Sequence, residues 1–272
     1  MYHPPAHHRG TAPMTRDEIF SLLEKNQISM RPDDGAAISV IEKYVNGDGG
    51  ETQVAGEEMA ALDAAIDEAA DAAESVYRDA EEVINDTAAT IRRLLDGWNA
   101  RAVLRDFAFS YSAEERRYVV NSFIDMCPRL RIGMSEMSVL SGRAGEAATM
   151  LRDCSAKAQM LASELKYASL AAWICEDPAL AEERQALSDE TRERAMAADK
   201  LAAEIMRVIR SLSVSMSAVS AAVPQASAAL YIDGAEGDAA SSMLISPKRA
   251  AAALSCVLSA IGAASADQRI PD

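Results

Sequence analysis

The side chains that carry most enzyme chemistry are poorly distributed in this chain. All three histidines, His3, His7 and His8, lie within the first 14 residues. The rest of the chain therefore has no histidine for a Ser–His–Asp triad, a Cys–His pair, or the metal-binding motifs Glu-x-x-His and His-Glu-x-x-His. This placement predicts a protein without nucleophile–histidine catalysis.

Carboxylates and thiols offer no better arrangement. Adjacent acids such as Glu81 and Glu82 point about 100° apart on a helix, so they do not converge on one proton. No Cys-x-x-Cys spacing and no glycine-rich phosphate motif occurs, and we expect buried free thiols on helices. The thiols are those of Cys127, Cys154, Cys175 and Cys256. We therefore predict that the protein is not an enzyme and has no catalytic residue, cofactor or metal site.

Composition favours helices throughout. The chain has 272 residues, 54 of them alanine, and aromatic residues make up only 5%. Alanine is the best helix former, and few β-branched or aromatic residues remain to build strands. Collagen, a disulfide-rich mini-domain and an all-β sandwich are excluded. The net charge of −15 argues against nucleic acid as a partner, because the phosphate backbone attracts basic proteins.

Three long stretches have the apolar spacing of coiled coils. From Met59 to Trp98, seam residues alternate at three and four positions, which predicts one helix over about 53–109. Beyond Pro128, a seven-residue repeat runs from Leu130 to Ala172. A third stripe lies within a predicted helix over about 179–222, which ends or bends near Pro224. Pro128 is likewise expected to kink or end its helix.

Helix-start signals divide the chain. Two capping boxes occur, Thr-x-x-Glu at 15–18 and Ser-x-x-Glu at 112–115. An N-cap followed by a proline at the first helical position occurs twice, at Asp177-Pro178 and at Ser246-Pro247. The predicted fold class is all-α, an elongated antiparallel helical bundle or set of coiled-coil hairpins with long helices. The predicted domains are a disordered tail (1–14), a short helical cap (15–50) and the bundle (51–272).

An uncharged segment stands out near the C-terminus. Residues 211–232 carry no charge and alternate serine and alanine with larger apolar residues, and residues 250–266 are also uncharged. One interpretation is a buried central helix, and the other is a segment that enters a membrane as part of an oligomer, with Pro224 as its bend. The candidate membrane- or partner-binding residues are Leu212, Val214, Met216, Val219, Val223, Pro224, Leu230 and Tyr231.

Aromatic residues cluster at the turn between the first two long helices. Phe107, Phe109, Tyr111 and Tyr118 lie within 12 residues, beside several arginines. Such a group either fills a packed corner or forms an interfacial tip, since aromatic residues with arginine suit the headgroup region of a bilayer. These four residues are the candidate interfacial tip.

Acidic and basic residues are also unevenly distributed along the chain. Residues 51–86 contain 12 acidic residues and one basic residue, whereas residues 87–131 contain eight arginines and five acids. The acidic stretch is interpreted as a solvated face or as a docking face for a basic partner.

In layout, an elongated helical bundle with an uncharged segment is similar to α-pore-forming toxins and type III secreted translocators. This similarity implies a non-enzymatic bacterial effector or toxin that acts by binding a protein partner or membrane lipid, with an oligomer left open. The alternative is a cytoplasmic coiled-coil scaffold.

Signals for targeting are weak in this sequence. No secretory signal peptide occurs, which predicts a cytoplasmic location or secretion by a non-Sec route. No run of 18 strongly apolar residues occurs either, which predicts that no ordinary membrane-spanning helix is present.

Overall fold

A computed structural model describes residues 13–25, 35–46, 52–105, 111–230 and 245–268. These residues form six helices and contain no strand. The predicted all-α helical bundle with long helices is therefore confirmed. The helices are α1 (Arg16–Lys25), α2 (Gly35–Val45), α3 (Thr52–Ala100), α4 (Ala113–Ile174), α5 (Pro178–Ala229) and α6 (Pro247–Gln268).

The helix starts follow the capping signals in the sequence. In α4, the Ser112 Oγ accepts a bond from the Glu115 backbone N–H at 3.1 Å, and the Glu115 carboxylate accepts one from the Ser112 N–H at 2.8 Å. Thr15 and Glu18 form the same reciprocal pair at α1. The Asp177 carboxylate accepts a bond from the Leu180 N–H, which caps α5. Side-chain capping of the free N–H groups therefore fixes these starts.

The end of α3 differs from the sequence prediction. The helix stops at Ala100, not near residue 109, because Ala102 adopts a left-handed φ of 51°. The N–H of Val103 donates to the Trp98 carbonyl at 3.1 Å, which is the bond of a Schellman motif. Val103 and Trp98 are both fully buried in one core, and their burial favours this end.

Each proline was expected to kink or to end its helix, and both lie inside their helices, so neither proline ends its helix. Pro128 is within α4, and Pro224 is within α5, which continues to Ala229. Proline removes the N–H that would bond the carbonyl four residues earlier. Those carbonyls belong to Ile124 and Ser220, and both residues are exposed, as are the prolines. Water can therefore hydrate the released carbonyls, which lowers the cost of proline in the helix.

The predicted apolar seams are buried. Seam positions on α3 from Met59 to Trp98 are buried or half-buried, and every position of the α4 repeat from Leu130 to Ala172 is buried. Leu161, in the second stripe of α4, is half-buried and packs against the cluster of Leu62 and Cys154. The period of 3.5 residues therefore identified the packed faces correctly.

The chain divides into two compact units, and α3, α4 and α5 contribute a segment to each. Unit 1 comprises Met1–Asp67 and Arg152–Asp199. Within it α4 and α5 are antiparallel. The Ser169 hydroxyl donates to the Ala181 carbonyl, and the Ser188 hydroxyl, further along α5, donates to the Ala162 carbonyl, earlier in α4. In the same unit, α1 and α2 pack with the end of α4 through a cluster of apolar residues. The buried members are Ile19, Leu23, Ile41 and Ala171.

Unit 2 comprises Glu68–Leu151 and Lys200–Asp272. Its α3 and α4 segments are antiparallel, since Trp98 Nε1 donates to Ser122 Oγ at 2.8 Å and Arg143 pairs with Asp79 at 3.0 Å near the other end. The segments of α3, α4 and α5 in this unit and the helix α6 all contribute to one large apolar core. Its bulkiest members include Trp98, Phe123, Ile91, Leu130, Met137, Leu212, Leu230, Leu254 and Ile261.

The domain boundaries predicted from the sequence stay predictions. Residues 1–12 of the predicted tail lie outside the described residues, as do residues 26–34 and 47–51 of the region around the predicted cap. Within the described part, the Met14 N–H donates to Asn46 Oδ1 at 2.7 Å, and Asn46 Nδ2 donates back to the Met14 carbonyl. These two bonds join the start of α1 to the end of α2.

Candidate functional site

The inner face of the uncharged segment belongs to the unit 2 core. Leu212, Val219 and Leu230 are fully or almost fully buried there, together with Ala222 and Ala226. Met216 and Val223 are half-buried and pack against the same core. This inner face has the helical spacing that its apolar residues predict.

The outer face of the same segment carries no charge either. Val214 is 40% exposed, and Pro224 is exposed within the helix. The remaining exposed positions are small or uncharged: Ser213, Ser217, Ser220, Ala221, Gln225 and Ala228. Tyr231, also predicted as part of this site, lies outside the described residues. An outward helix face without charge is unusual in a chain in which 25% of the residues are charged.

Two serines on this segment lack hydrogen-bond partners. Ser211 and Ser215 are buried, and neither hydroxyl has a hydrogen-bond partner among the residues that the structure describes. An unpaired buried hydroxyl destabilises the folded state by about 1–3 kcal/mol. Sequence analysis missed this pair, because serine spacing alone does not reveal whether a carbonyl is within reach.

By length and composition, α5 is the one described helix that could cross a membrane. An 18-residue window in it reaches a mean hydropathy of 1.2, and 39% of that window is buried. Core helices of soluble proteins have the same properties. Because one window passes this test, the sequence prediction that the chain has no ordinary membrane-spanning helix stays a prediction.

At the corner between α3 and α4, the structure packs the aromatic residues that it describes. Tyr111 is buried, and its hydroxyl donates to the Val103 carbonyl at 2.7 Å. The Arg105 guanidinium lies over the Tyr111 ring, and Arg101 lies over the half-buried Tyr118 ring, 3.8 Å from its centroid. Phe107 and Phe109 lie outside the described residues. In this conformation Tyr111 supports a packed corner, and its role as an interfacial residue stays a prediction.

The cysteines are free, but only part of the sequence prediction for them holds. Cys154 is buried and Cys127 half-buried, whereas Cys175 and Cys256 are exposed, so the expectation of burial was wrong for those two. Cys175 follows the last residue of α4, and Cys256 lies on the outer face of α6. Desolvation by surrounding protein atoms raises the pKa of the half-buried Cys127 thiol, and it also raises the pKa of Cys175 although that side chain is exposed; in both, this disfavours the reactive thiolate form.

Metal-binding groups do not converge in the described residues. No three His, Cys, Asp or Glu side chains there are grouped so as to hold a metal ion. His3, His7 and His8 lie outside this part of the chain. Comparison of the chain with family models, with curated proteins and with solved structures gave no match.

Proposed function

We propose that this chain is a non-enzymatic helical-bundle protein of secreted-effector or pore-forming-toxin type that acts on membranes by repacking α5. One observation carries the proposal: the 211–230 segment is uncharged on both its buried and its exposed face. A soluble helix keeps charge on its outer face, whereas this segment has none to desolvate on contact with lipid.

The packing of the segment is compatible with release from unit 2. Its alanines and serines bury little apolar area, and apolar burial contributes only about 25 cal/mol per Å². The unpaired hydroxyls of Ser211 and Ser215 further weaken the packed arrangement. In a membrane oligomer these serines would face neighbouring helices and there find hydrogen-bond partners.

A second function, a soluble helical scaffold, is favoured by the burial of the inner face. Leu212 and Val219 are fully buried in the unit 2 core, and a scaffold would keep them there permanently. The two functions differ in whether α5 ever leaves this core.

Dye leakage from vesicles separates the two functions. Vesicles with anionic and with zwitterionic lipids are mixed with wild-type protein, with Ala221→Asp and with the control Ala197→Asp. Both alanines are exposed on α5, but only Ala221 lies in the uncharged segment. Because both variants place a charge in water, both should fold, as checked by circular dichroism.

Membrane action predicts leakage by wild type and by Ala197→Asp, and its loss in Ala221→Asp, since a carboxylate near the bilayer centre costs about 2.5–3.5 kcal/mol or more. Equal leakage by both variants contradicts a membrane role for this segment. A wild-type protein that causes no leakage and binds neither lipid supports the scaffold instead.

A further inference from the structure

The last helix, α6, has the same unusual feature as the end of α5. Its sequence has no charged residue from position 250 to position 266. One face, which includes Leu254 and Ile261, is buried in the unit 2 core. The exposed positions up to residue 264 are all small: Ala252, Ser255, Cys256, Ser259, Gly262 and Ala263. Unit 2 therefore has two helical segments whose outer faces carry no charge.

These two uncharged segments lie at the same level of unit 2. The Ser246 N–H, just before α6, donates to the Ala229 carbonyl at the end of α5, at 2.8 Å. Because α6 begins there and buries its inner face in the same core, it runs back antiparallel to α5. Arg210 is the last charged residue before the α5 segment, and Asp267 is the first after the α6 segment. Counted from the bond at 1.5 Å per residue, these two positions differ by only about 3 Å along the helices.

The span that the two segments share is close to the thickness of a bilayer core. It runs over residues 211–226 of α5 and, by the same count, over residues 250–265 of α6. Such a span is about 24 Å long, whereas the hydrocarbon core is about 30 Å thick. The long side chains of Arg210 at one end, and of Lys248 and Arg249 at the other, can extend toward the headgroups and make up the difference.

We propose that α5 and α6 enter the bilayer together, as one helical hairpin whose outer faces contact the acyl chains. This inference rests on the membrane action proposed above, which concerns α5. The chain that follows a spanning α5 leads into α6, and the return of α6 brings Asp267 back to the side of Arg210. Among the described residues, α6 alone does not reach the apolar composition of α5, which favours entry beside α5 over entry by itself.

The backbone and the hydroxyls of α6 are suited to lipid. A helix satisfies its own backbone groups, as a spanning segment must. The exposed Ser259 hydroxyl donates to the Ser255 carbonyl of the same helix, at 3.2 Å, so it needs no partner from water. The small residues of both segments also allow close packing of helices within a membrane.

The first test adds a charge to α6 in the vesicle leakage assay. Ser259→Asp is compared with the control Ser163→Asp, on α4 in unit 1. Both serines are exposed, and the Ser163 hydroxyl likewise donates to the carbonyl four residues earlier, at 2.8 Å. Both carboxylates stay in water in the folded protein, and circular dichroism checks that each variant folds. Ser259→Asp should reduce leakage about tenfold or more, because a carboxylate within a spanning helix is strongly disfavoured. Ser163→Asp should leak like wild type.

The second test uses native thiols as probes of depth. Cys256 is exposed near the middle of the α6 segment, and Cys175 is exposed in unit 1. Two proteins are prepared, each keeping one of these thiols and carrying alanine at the other three cysteines. A fluorophore on the remaining thiol is mixed with vesicles whose lipids carry a quencher at the middle of the acyl chain. The probe on Cys256 should be quenched, and the probe on Cys175 should not.

The outcomes separate this inference from the proposal on which it rests. Leakage that is lost in Ala221→Asp but kept in Ser259→Asp overturns the hairpin and leaves the membrane action of α5 in place. A probe on Cys256 that escapes quenching, while wild type causes leakage, also overturns the hairpin. A wild-type protein that neither causes leakage nor binds vesicles contradicts both proposals.

Discussion

Units 1 and 2 contain segments of the same three long helices, but they combine polar and apolar contacts between those helices in different proportions. In unit 1, the Ser169 and Ser188 hydroxyls each donate to a carbonyl on the neighbouring helix at 2.7 Å. Arg184 donates to the Ala168 carbonyl, and Arg194 forms two bonds to Asp63 at 2.5 and 2.7 Å. Polar bonds between helices therefore fix the helix register of unit 1.

Unit 2 also has polar bonds between helices, from Trp98 to Ser122 and from Arg143 to Asp79, but it adds a core of large apolar side chains. Trp98, Phe123 and Met137 are almost fully buried in its core, and the buried hydroxyls of Ser211 and Ser215 have no partner in the described part of the chain. The distance between packed helices depends on the side chains at their contact. In unit 1 both serines donate to alanine carbonyls on the facing helix, whereas in unit 2 neither buried serine of α5 has a partner among the described residues.

The largest effect that tests this comparison is expected from Phe123→Ala in unit 2. Phe123 is almost fully buried, so removal of its ring should lower the free energy of unfolding by about 3–5 kcal/mol. Urea denaturation measures this. Met160→Ala in unit 1 is the control. The Met160 side chain is 66% exposed, so its removal should lower the free energy of unfolding by less than about 0.5 kcal/mol. A loss below about 1 kcal/mol for Phe123→Ala would show that the core does not carry the stability of unit 2.

A pair of serine substitutions should change stability in opposite directions. Ser188→Ala removes an interhelical bond and should destabilise the protein by about 1 kcal/mol. Ser215→Ala removes an unpaired buried hydroxyl and should stabilise it by about 1 kcal/mol or more. Urea unfolding of both variants under one condition gives the two signs. Effects of the same sign would remove the distinction between the units.

Two glycines within α4 test how closely the helices of unit 2 pack. A Cβ on Gly133 would lie 2.7 Å from Oγ1 of the buried Thr87, whereas a Cβ on Gly142 would meet nothing within 4 Å. Alanine favours a helix over glycine by about 1 kcal/mol, so Gly142→Ala should stabilise by about that amount. Gly133→Ala should lose this gain to overpacking, which costs about 1–3 kcal/mol. Thermal melts that rank the two variants in the reverse order would contradict the close approach.

The smallest effect concerns the capping boxes, one in each unit. The Ser112 backbone N–H, with help from Arg105, holds the pKa of the Glu115 carboxyl below its usual range, and the Thr15 backbone N–H lowers the pKa of Glu18 in the same way. A carboxyl whose pKa is lowered by folding stabilises the protein above its unfolded pKa. This stabilisation is lost as the pH falls through the lowered, folded-state pKa.

Glu115→Gln and Glu18→Gln should therefore each reduce stability near neutral pH and leave it nearly unchanged in acid. The thermal midpoint of each variant is compared with that of wild type across the acid range. A difference that grows as the pH falls would mean that the carboxylate form does not stabilise the cap. Because both carboxylates are exposed, we expect only a small shift in the midpoint.

Much of the fold could be predicted from local patterns. The apolar period located the buried faces of α3, α4 and α5, and the capping motifs at Thr15, Ser112, Asp177 and Ser246 placed four helix starts correctly. These features follow from interactions within one helix or its first turn, so a single sequence contains what is needed to find them.

The candidate site was only partly predictable. The uncharged segment was evident in the sequence, and its inner face packs as its spacing predicts. The burial of Tyr111 and the exposure of Cys256 on α6 were not evident, because each depends on what a neighbouring helix places opposite.

The sequence by itself determined that this protein is helical, where most of its helices begin and which faces they bury, since these depend on propensity, capping and period. Only the tertiary structure decided that α3 ends at Ala100 and that Pro128 and Pro224 stay within their helices. It also decided that the hydroxyls of Ser211 and Ser215 stay unpaired. The physical reason is the same throughout: the free energy of a left-handed cap, a released carbonyl or a buried hydroxyl depends on whether water or another helix lies beside it.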